Sequence, residues 1–279
     1  MQALVDAARR KQSVLVVGLD PIPSRFPEEL RALPEAEATL EFCLGILGAV
    51  EPHVAAVKLQ SAFFERLGPD GMGIYADVIK AARDLALPTI ADVKRGDIGP
   101  VAAAYAEAHL GVYGATCVTV NPYMGEDAVL PFLEVARRLN LGGGIFVLLT
   151  TSNPSSHEIQ ETTAPPLFEV IAGLVARVGR STGDYPDAGA VVGATRPEIG
   201  ARARQLLPEA LFLSPGYGAQ GGDPSSVRPL LDRRGGGVLV NSSRTILYAY
   251  ERSASGYREA AREAASKARD ELRLAGACL

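Results

Sequence analysis

Eight short apolar runs, each followed by a turn and a segment with helical periodicity, constrain the fold of this chain more than any other feature. The runs lie at residues 14–19, 54–59, 89–93, 116–120, 145–149, 190–193, 211–214 and 238–240. Segments with apolar residues three and four positions apart lie between them, at 73–85, 102–110, 127–139, 167–178 and 198–206. Such alternation is typical of a parallel sheet with helices packed outside it.

The absence of a clear linker between these units favours closure of the sheet into one barrel. The chain has 279 residues, and a (β/α)8 barrel, or TIM barrel, typically takes roughly 250. We therefore predict an α/β fold of the TIM-barrel type, with residues 1–279 as a single domain and a barrel core at about 14–250. Residues 255–274 form a charged amphipathic pattern, which predicts an extra C-terminal helix on the outside.

Charge and composition exclude several classes of partner. Acidic and basic residues are mixed along the chain, and the net charge of −4 argues against nucleic acid binding, which needs a concentrated basic face. No run approaches the roughly 20 apolar residues of a membrane span, and residues 1–12 lack a secretory signal. The cysteines and histidines lack the spacing of a metal site or a catalytic triad, which predicts reduced thiols in a cytoplasmic protein without a metal; they are Cys43, Cys117, Cys278, His53, His109 and His157.

The third apolar run ends in the most informative motif, the segment TIADVKRGD at 89–97. Alternation along a strand places Asp92 and Lys94 on one face, and at the carboxyl end of a barrel strand that face points into the mouth. Asp97 follows on the loop, within reach of its own site or that of a neighbouring subunit. An ordinary ion pair would explain this motif by itself. However, three neighbouring strands also end in polar residues, which favours a catalytic mouth: Asp20, Lys58 and Asn121.

The loops after the last two strands predict a phosphate site. Residues 214–222 are rich in glycine, whose backbone N–H groups can approach an anion closely. The segment 241–245 follows the eighth strand and opens a helix that carries Arg244. Barrel enzymes frequently bind phosphate at these two positions. A glycine-rich loop alone is equally compatible with a mobile surface turn, so the prediction depends on the combination.

Together these motifs resemble the orotidine 5′-monophosphate decarboxylase family, in particular its bacterial type 2 branch. The matching segments are GLD at 18–20, VKLQ at 57–60, DVKRGDI at 92–98, TVNPY at 119–123, LTTSN at 149–153, VGAT at 192–195, PGYGAQG at 215–221 and SR at 243–244. They keep barrel order over residues 14–250. The resemblance implies cofactor-free conversion of orotidine monophosphate (OMP) to UMP and CO₂, the closing step of de novo pyrimidine synthesis, by a homodimer.

The resemblance also implies roles for the charged residues. Lys94 would donate a proton to C6 of the pyrimidine, and Asp92 would lie near the departing carboxylate. Lys58 would bridge the carboxylates and the ribose hydroxyls, and Asp97 would reach into the partner's site. The substrate-binding residues implied are Asp20 for ribose, Thr151 and Ser152 for the pyrimidine edge, and Gln220, Ser243 and Arg244 for phosphate. The family usually carries a threonine where this chain has Val101.

Two alternatives remain at this point. A Mg²⁺-dependent phosphosugar decarboxylase or aldolase of the same barrel superfamily resembles the pattern at Asp92 and Lys94. Such an enzyme needs a metal-binding carboxylate near the mouth of the second strand, where this chain has Lys58, with Glu65 well beyond it. A non-catalytic nucleotide-binding barrel is the other alternative, because fold alone does not fix function.

Overall fold

In a computed structural model, which describes residues 1–193, 196–217 and 224–279, parallel strands form a barrel in chain order. The strands are β1 (Leu15–Leu19), β2 (Ala56–Gln60), β3 (Thr89–Arg95), β4 (Cys117–Val120), β5 (Gly144–Thr150), β6 (Ala188–Val192), β7 (Phe212–Pro215) and β8 (Val238–Ser242). β8 pairs with β1 and closes the barrel. The predicted TIM-barrel fold is confirmed.

Helices connect the strands and surround them. The α-helices are α1 (Gln2–Lys11), α2 (Glu28–Arg31), α3 (Glu35–Val50), α4 (Ala62–Glu65), α5 (Gly68–Asp84), α6 (Gly99–Ala106), α7 (Glu126–Leu139), α8 (His157–Gln160), α9 (Leu167–Val178), α10 (Pro197–Leu206), α11 (Arg244–Leu247) and α12 (Tyr257–Leu274). A π-helical segment, Glu107–Val112, continues α6. Short 3-10 helices lie at Pro23–Arg25, Glu51–His53, Pro154–Ser156, Pro224–Leu230 and Ala249–Arg252.

Two apolar layers follow from the alternation of side chains along the strands. Every second side chain along a strand, such as Val57 in β2 or Val118 in β4, packs outward against the helices. The others point into the barrel, where Ile90 and Phe146 belong to a separate interior cluster. α1 adds Leu4 to this interior cluster, so it covers the end of the barrel where the strands begin.

The observed elements differ from the predicted ones mainly at their ends. β3 continues to Arg95 instead of ending at 93, and α5 begins at Gly68 instead of 73. The proline- and serine-rich composition of residues 152–166 predicts an irregular loop, but the segment contains a 3-10 turn and α8. The C-terminal helix is confirmed at Tyr257–Leu274 and packs on α3, where the rings of Tyr257 and Phe42 stack at 5.6 Å. Within the described ranges, no helix has the length and apolar character to cross a membrane.

Candidate active site

A cavity of about 370 Å³ lies at the carboxyl ends of the strands. It is lined on its polar side by Lys58, Asp92, Lys94, Thr119, Thr151, Ser152, Asn153 and Asn241. Its apolar wall consists of Leu148, Val191, Leu213 and Pro215. Of the polar strand ends that the sequence predicts for the barrel mouth, Lys58, Asp92 and Lys94 line this cavity, and Asp20 lies next to Lys58. The expectation for Asn121 is wrong: its side chain is exposed, lines a different cavity of about 500 Å³ and accepts a hydrogen bond from the Tyr123 N–H, because β4 ends one residue earlier, at Val120.

Asp92 is the centre of the charges in this cavity. Its Oδ2 accepts a hydrogen bond from Lys58 Nζ at 2.7 Å, and its Oδ1 accepts one from Lys94 Nζ at 2.5 Å. Gln60 Nε2 also approaches Oδ2, at 3.4 Å. Burial by itself would raise the pKa of the Asp92 carboxyl, but the two ammonium groups outweigh it and hold that pKa well below its ordinary value. Asp92 is therefore a permanent anion between two cations.

Lys58 links Asp92 to the ribose-binding candidate Asp20. Its Nζ lies 3.8 Å from Asp20 Oδ1 and is buried at the end of β2. Burial lowers the pKa of the Lys58 ammonium, while Asp92 and Asp20 raise it, and the net shift is upward. The backbone carbonyl of Asp20 accepts a hydrogen bond from the hydroxyl of Tyr248 at 3.1 Å. Four charges of alternating sign therefore follow one another along the barrel mouth: Asp20, Lys58, Asp92 and Lys94.

Lys94 has an unusual backbone for a strand residue. Its φ is +49°, in the left-handed region, which costs about 1–2 kcal/mol in a residue with a Cβ. Its side chain is 42% exposed, so the ammonium group faces the cavity while it remains bonded to Asp92. Strained backbone of this kind is concentrated at functional sites, where the surroundings hold it in place.

Thr151 and Ser152 line the other side of the cavity, after β5. The loop that follows folds back, and the Gln160 side chain both accepts from the Thr151 N–H at 3.1 Å and donates to Thr151 Oγ1 at 2.8 Å. The Thr151 hydroxyl donates to Asn153 Oδ1 at 2.6 Å. Thr151 is thus engaged in its own loop, while the Ser152 side chain lies at the wall of the cavity.

Neither of the two described phosphate candidates, Ser243 and Arg244, lines this cavity, although Asn241, which does, donates to Ser243 Oγ at 3.4 Å. Ser243 precedes α11 and lies against β1, where a Cβ on Gly18 would come 2.0 Å from Ser243 Oγ; only glycine permits this approach. The exposed side chain of Arg244 lines a neighbouring cavity of about 390 Å³, together with Arg25 and Arg252. Gln220 lies outside the described residues.

Asp97 does not line the cavity of its own chain as far as the structure describes it. It lies on the loop between β3 and α6, where its Oδ1 accepts a hydrogen bond from the Ile98 N–H at 2.8 Å. Ile98 and Val101, its neighbours, have exposed apolar side chains. The structure thus brings together Asp20, Lys58, Asp92 and Lys94 but places Asp97 apart from them.

Sequence reasoning assigned no role to two residues of this site. Thr119 on β4 donates to Asp92 Oδ1 at 3.0 Å. Asn241 on β8 is buried, and its Oδ1 has no hydrogen-bond partner in the described part of the chain. Strand parity could have identified both, since Cys117 and Leu239, two positions earlier, point into the barrel.

The strand-two position required by the Mg²⁺-dependent alternative carries an ammonium group. Lys58 Nζ occupies the place where that alternative needs a carboxylate. Among the described residues, no group of three or more Asp, Glu, His or Cys side chains is arranged to hold a metal ion. The three cysteines are free thiols: Cys43 and Cys117 are buried, and Cys278 is exposed.

Comparison with known proteins gives a consistent result. The sequence profile described as "Orotidine 5'-phosphate decarboxylase / HUMPS family" matches residues 13–258. The orotidine 5′-phosphate decarboxylase of Rhodopirellula baltica is 42% identical over 265 residues, covering 88% of this chain and 87% of the relative. That of Deinococcus radiodurans is 41% identical over 273 residues, covering 97% and 96%. The solved structure of Leishmania donovani OMP decarboxylase superimposes with a TM-score of 0.81 at 32% identity, covering 98% of this chain and 97% of that one.

Proposed function

The chain belongs to the orotidine 5′-phosphate decarboxylase family and converts OMP to UMP in pyrimidine biosynthesis, and we propose that Lys94 is the residue that protonates C6 as CO₂ leaves. One observation carries this assignment. The Lys94 ammonium faces the cavity at the strand ends while Asp92 Oδ1 holds it at 2.5 Å. A proton donor must be fixed in this way to meet a reacting carbon.

The charge that develops at C6 explains why an ammonium group is needed. When the bond between C6 and the carboxylate breaks, its electron pair stays on C6 in an orbital that the pyrimidine ring cannot delocalise. A fixed cation aimed at that carbon stabilises the transition state more than the ground state, which is the condition for a higher kcat. The pair then takes a proton from Lys94 Nζ, and the resulting amine recovers its proton from water.

Asp92 and Lys58 complete the reacting centre. We assign Asp92 a place beside the departing carboxylate, where repulsion between two anions disappears as neutral CO₂ forms. Lys58 lies 2.7 Å from Asp92 and 3.8 Å from Asp20, a position that suits a bridge between the reacting end and the ribose hydroxyls. Asp20, partly exposed at the end of β1, is the acceptor for a ribose hydroxyl.

The remaining binding roles fall on the two sides of the cavity. Ser152, supported by Thr151, binds the pyrimidine edge from the β5 loop. We assign the phosphate to the Arg244 guanidinium and the N–H of Ser243, which follow β8; Gln220, outside the described residues, is the third phosphate ligand that the family resemblance implies. The side chain of Arg244 is exposed and lines the adjoining cavity, so it can rotate toward a phosphate bound next to Ser243. Arginine suits this task because its planar donors match phosphate oxygens.

The assembly we propose is a homodimer with shared sites. Asp97 stands on a loop whose neighbours Ile98 and Val101 expose apolar side chains, and the loop after β4 exposes Tyr123 and Met124. Exposed apolar patches of this kind mark protein interfaces. A partner docked here would receive Asp97 at its own cavity, where the carboxylate would join the charges around Lys94.

A spectrophotometric assay with OMP tests the role of Lys94. Wild type is expected to bleach the orotate absorbance, and Lys94→Ala to lose nearly all turnover. Lys80→Ala is the matched control, because Lys80 forms only an exposed pair with Asp84 on α5. Equal rates for wild type and Lys94→Ala would reject the assignment. Turnover that disappears with EDTA would instead favour the metal-dependent alternative.

A further inference from the structure

We propose that Thr119 is a positioning residue whose single hydroxyl holds both Asp92 and the backbone of Lys94 in their reactive arrangement. The proposal rests on the proton-donor role of Lys94 given above. Thr119 lies on β4 and is buried, with its side chain at the wall of the cavity. Its hydroxyl contacts two residues of the reacting centre, Asp92 and Lys94, and both lie on the neighbouring strand β3.

Three hydrogen bonds meet at Thr119 Oγ1. It accepts from the Val93 N–H at 3.0 Å and from the Lys94 N–H at 2.9 Å, and it donates to Asp92 Oδ1 at 3.0 Å. A hydroxyl can accept two hydrogen bonds and donate one, so these three bonds occupy every hydrogen-bonding position of the Thr119 hydroxyl. Because the Asp92 carboxylate can only accept, the hydroxyl proton points at it, which fixes the orientation of the whole group.

The register of β3 and β4 explains why these backbone groups need a partner. Ala91 pairs with Val118, but the next pair is Arg95 with Val120. Residues 92–94 of β3 therefore stand opposite Thr119 alone, as a bulge in the ladder. In this bulge the N–H groups of Val93 and Lys94 both donate to the Thr119 hydroxyl, and a backbone N–H without a partner would be unfavourable where the strand is buried. The Thr119 hydroxyl therefore satisfies backbone donors at the point where the ladder is irregular.

The bulge also determines where the Lys94 side chain leaves the strand. Lys94 has the left-handed φ of +49° within it, and the neighbouring structure must compensate for that strain. Since Thr119 Oγ1 bonds the Lys94 N–H and Asp92 Oδ1 together, one atom sets the relative position of the ammonium and the carboxylate. Loss of the hydroxyl is expected to displace both, and a displacement of about 1 Å can cost about 10²-fold in rate.

The test compares three variants. Thr119→Val keeps the shape and removes all three bonds, so we expect kcat to fall about 10²-fold while KM changes little, because the phosphate and ribose contacts lie elsewhere. Thr119→Ser keeps the hydroxyl and is expected to restore most of kcat. Thr116→Val is the matched control: its Oγ1 accepts from the Thr89 N–H at 3.1 Å, at the opposite end of the same two segments, and it should leave kcat unchanged.

Several outcomes would overturn the proposal. Wild-type kcat in Thr119→Val would do so, as would equal kcat losses in Thr119→Val and Thr116→Val or failure of Thr119→Ser to restore activity. If Thr119→Val does not fold, Thr119→Cys replaces it, since a thiol is only a weak acceptor and donor; full activity in that variant would also overturn the idea. Inactive Lys94→Ala beside fully active Thr119→Val would refute only the role of Thr119, whereas active Lys94→Ala would refute the proton donor itself.

Discussion

Lys58 and Asp92 form an ion pair that is almost entirely removed from solvent, with an Nζ–Oδ2 distance of 2.7 Å and side chains 7% and 9% exposed. Its partners come from neighbouring strands of the barrel, β2 and β3. Replacing a buried ion pair by apolar side chains is often neutral or stabilising, because desolvation offsets the attraction. The pair is therefore better explained by the reaction than by stability.

Removing only one partner of this pair is expected to destabilise the protein, because it leaves a buried charge without its counterion. Lys58→Met leaves the Asp92 carboxylate buried with Lys94 as its remaining cation, and we expect the free energy of unfolding to fall by about 3 kcal/mol. Urea denaturation at pH 7 measures the change. Lys80→Met removes an exposed i,i+4 pair and should change stability by no more than about 0.5 kcal/mol. Equal stability of the two variants would show that Lys58 does not compensate the buried charge.

A buried histidine predicts a loss of stability in mild acid. The ring of His109 is buried, with Nδ1 3.3 Å from the Tyr75 hydroxyl. Burial, aided by Arg95 and opposed by Glu65, lowers the pKa of His109 from 6.5 to about 4. Between these two values the unfolded chain binds a proton that the folded chain does not, so the folded state loses stability as the pH falls through this window.

The comparison of wild type with His109→Gln isolates this contribution. Carboxylates titrate in both proteins, whereas only wild type carries the histidine. Between pH 7 and pH 4.5 the unfolding free energy of wild type should fall by about 2–3 kcal/mol more than that of His109→Gln. Urea denaturation at the two pH values gives both numbers. Parallel losses in the two proteins would contradict a neutral, buried His109.

Arg244 should matter only when the substrate carries a phosphate. Loss of a hydrogen bond to a charged group costs about 1.5–3 kcal/mol, so Arg244→Gln is expected to lower kcat/KM for OMP by roughly 10- to 100-fold. Orotidine, which lacks the phosphate, should react equally slowly with wild type and variant. Arg252→Gln, at the wall of the same cavity, is the control and should keep near-normal kcat/KM. A similar loss in both variants would indicate a general effect of positive charge.

Sequence periodicity is enough to predict the barrel and the charged residues at its mouth, although it misplaces Asn121. Strand parity placed Lys58 and Asp92 on the inner face, and the structure confirms this. Parity also placed Lys94 beside Asp92, yet the contact depends on a bulge and a positive φ that alternation does not predict. In this bulge the Val93 and Lys94 N–H groups donate to the hydroxyl of Thr119, 25 residues away from Lys94 in the chain, and no local pattern encodes that partner.

The direction of exposed side chains was also beyond sequence reasoning. The sequence predicts Arg244 just after β8, where it lies, but its exposed side chain lines a neighbouring cavity, and strand order does not determine the rotamer of a long exposed side chain. The proline and serine content of residues 152–166 predicts an irregular loop. These residues nonetheless fold into short helices, one of which presents Gln160 to Thr151, a contact between side chains that composition does not reveal.

The last prediction concerns a buried arginine remote from the cavity. Arg204 on α10 is buried with its guanidinium 3.7 Å from the Phe212 ring centroid. Its donors reach four carbonyl oxygens at 2.7–2.9 Å, those of Leu207, Ala210, Leu230 and Gly237. Burial lowers the pKa of Arg204 to about 10, so the group remains charged at neutral pH. One side chain thereby joins α10 to the segments that enter β7 and β8.

Lysine cannot reproduce this arrangement, because its ammonium is a single point with three donors and lacks the planar fork of arginine. Arg204→Lys leaves buried carbonyls without partners, and we expect a loss of about 3 kcal/mol or more in unfolding free energy. Arg202→Lys, two residues away in an exposed pair with Glu169, should change stability little. Because Ala210 and Gly237 precede their strands, at the end opposite the cavity, kcat per folded molecule should stay at the wild-type value in both variants. A drop in kcat for Arg204→Lys would mean that this end of the barrel also controls the geometry around Lys94.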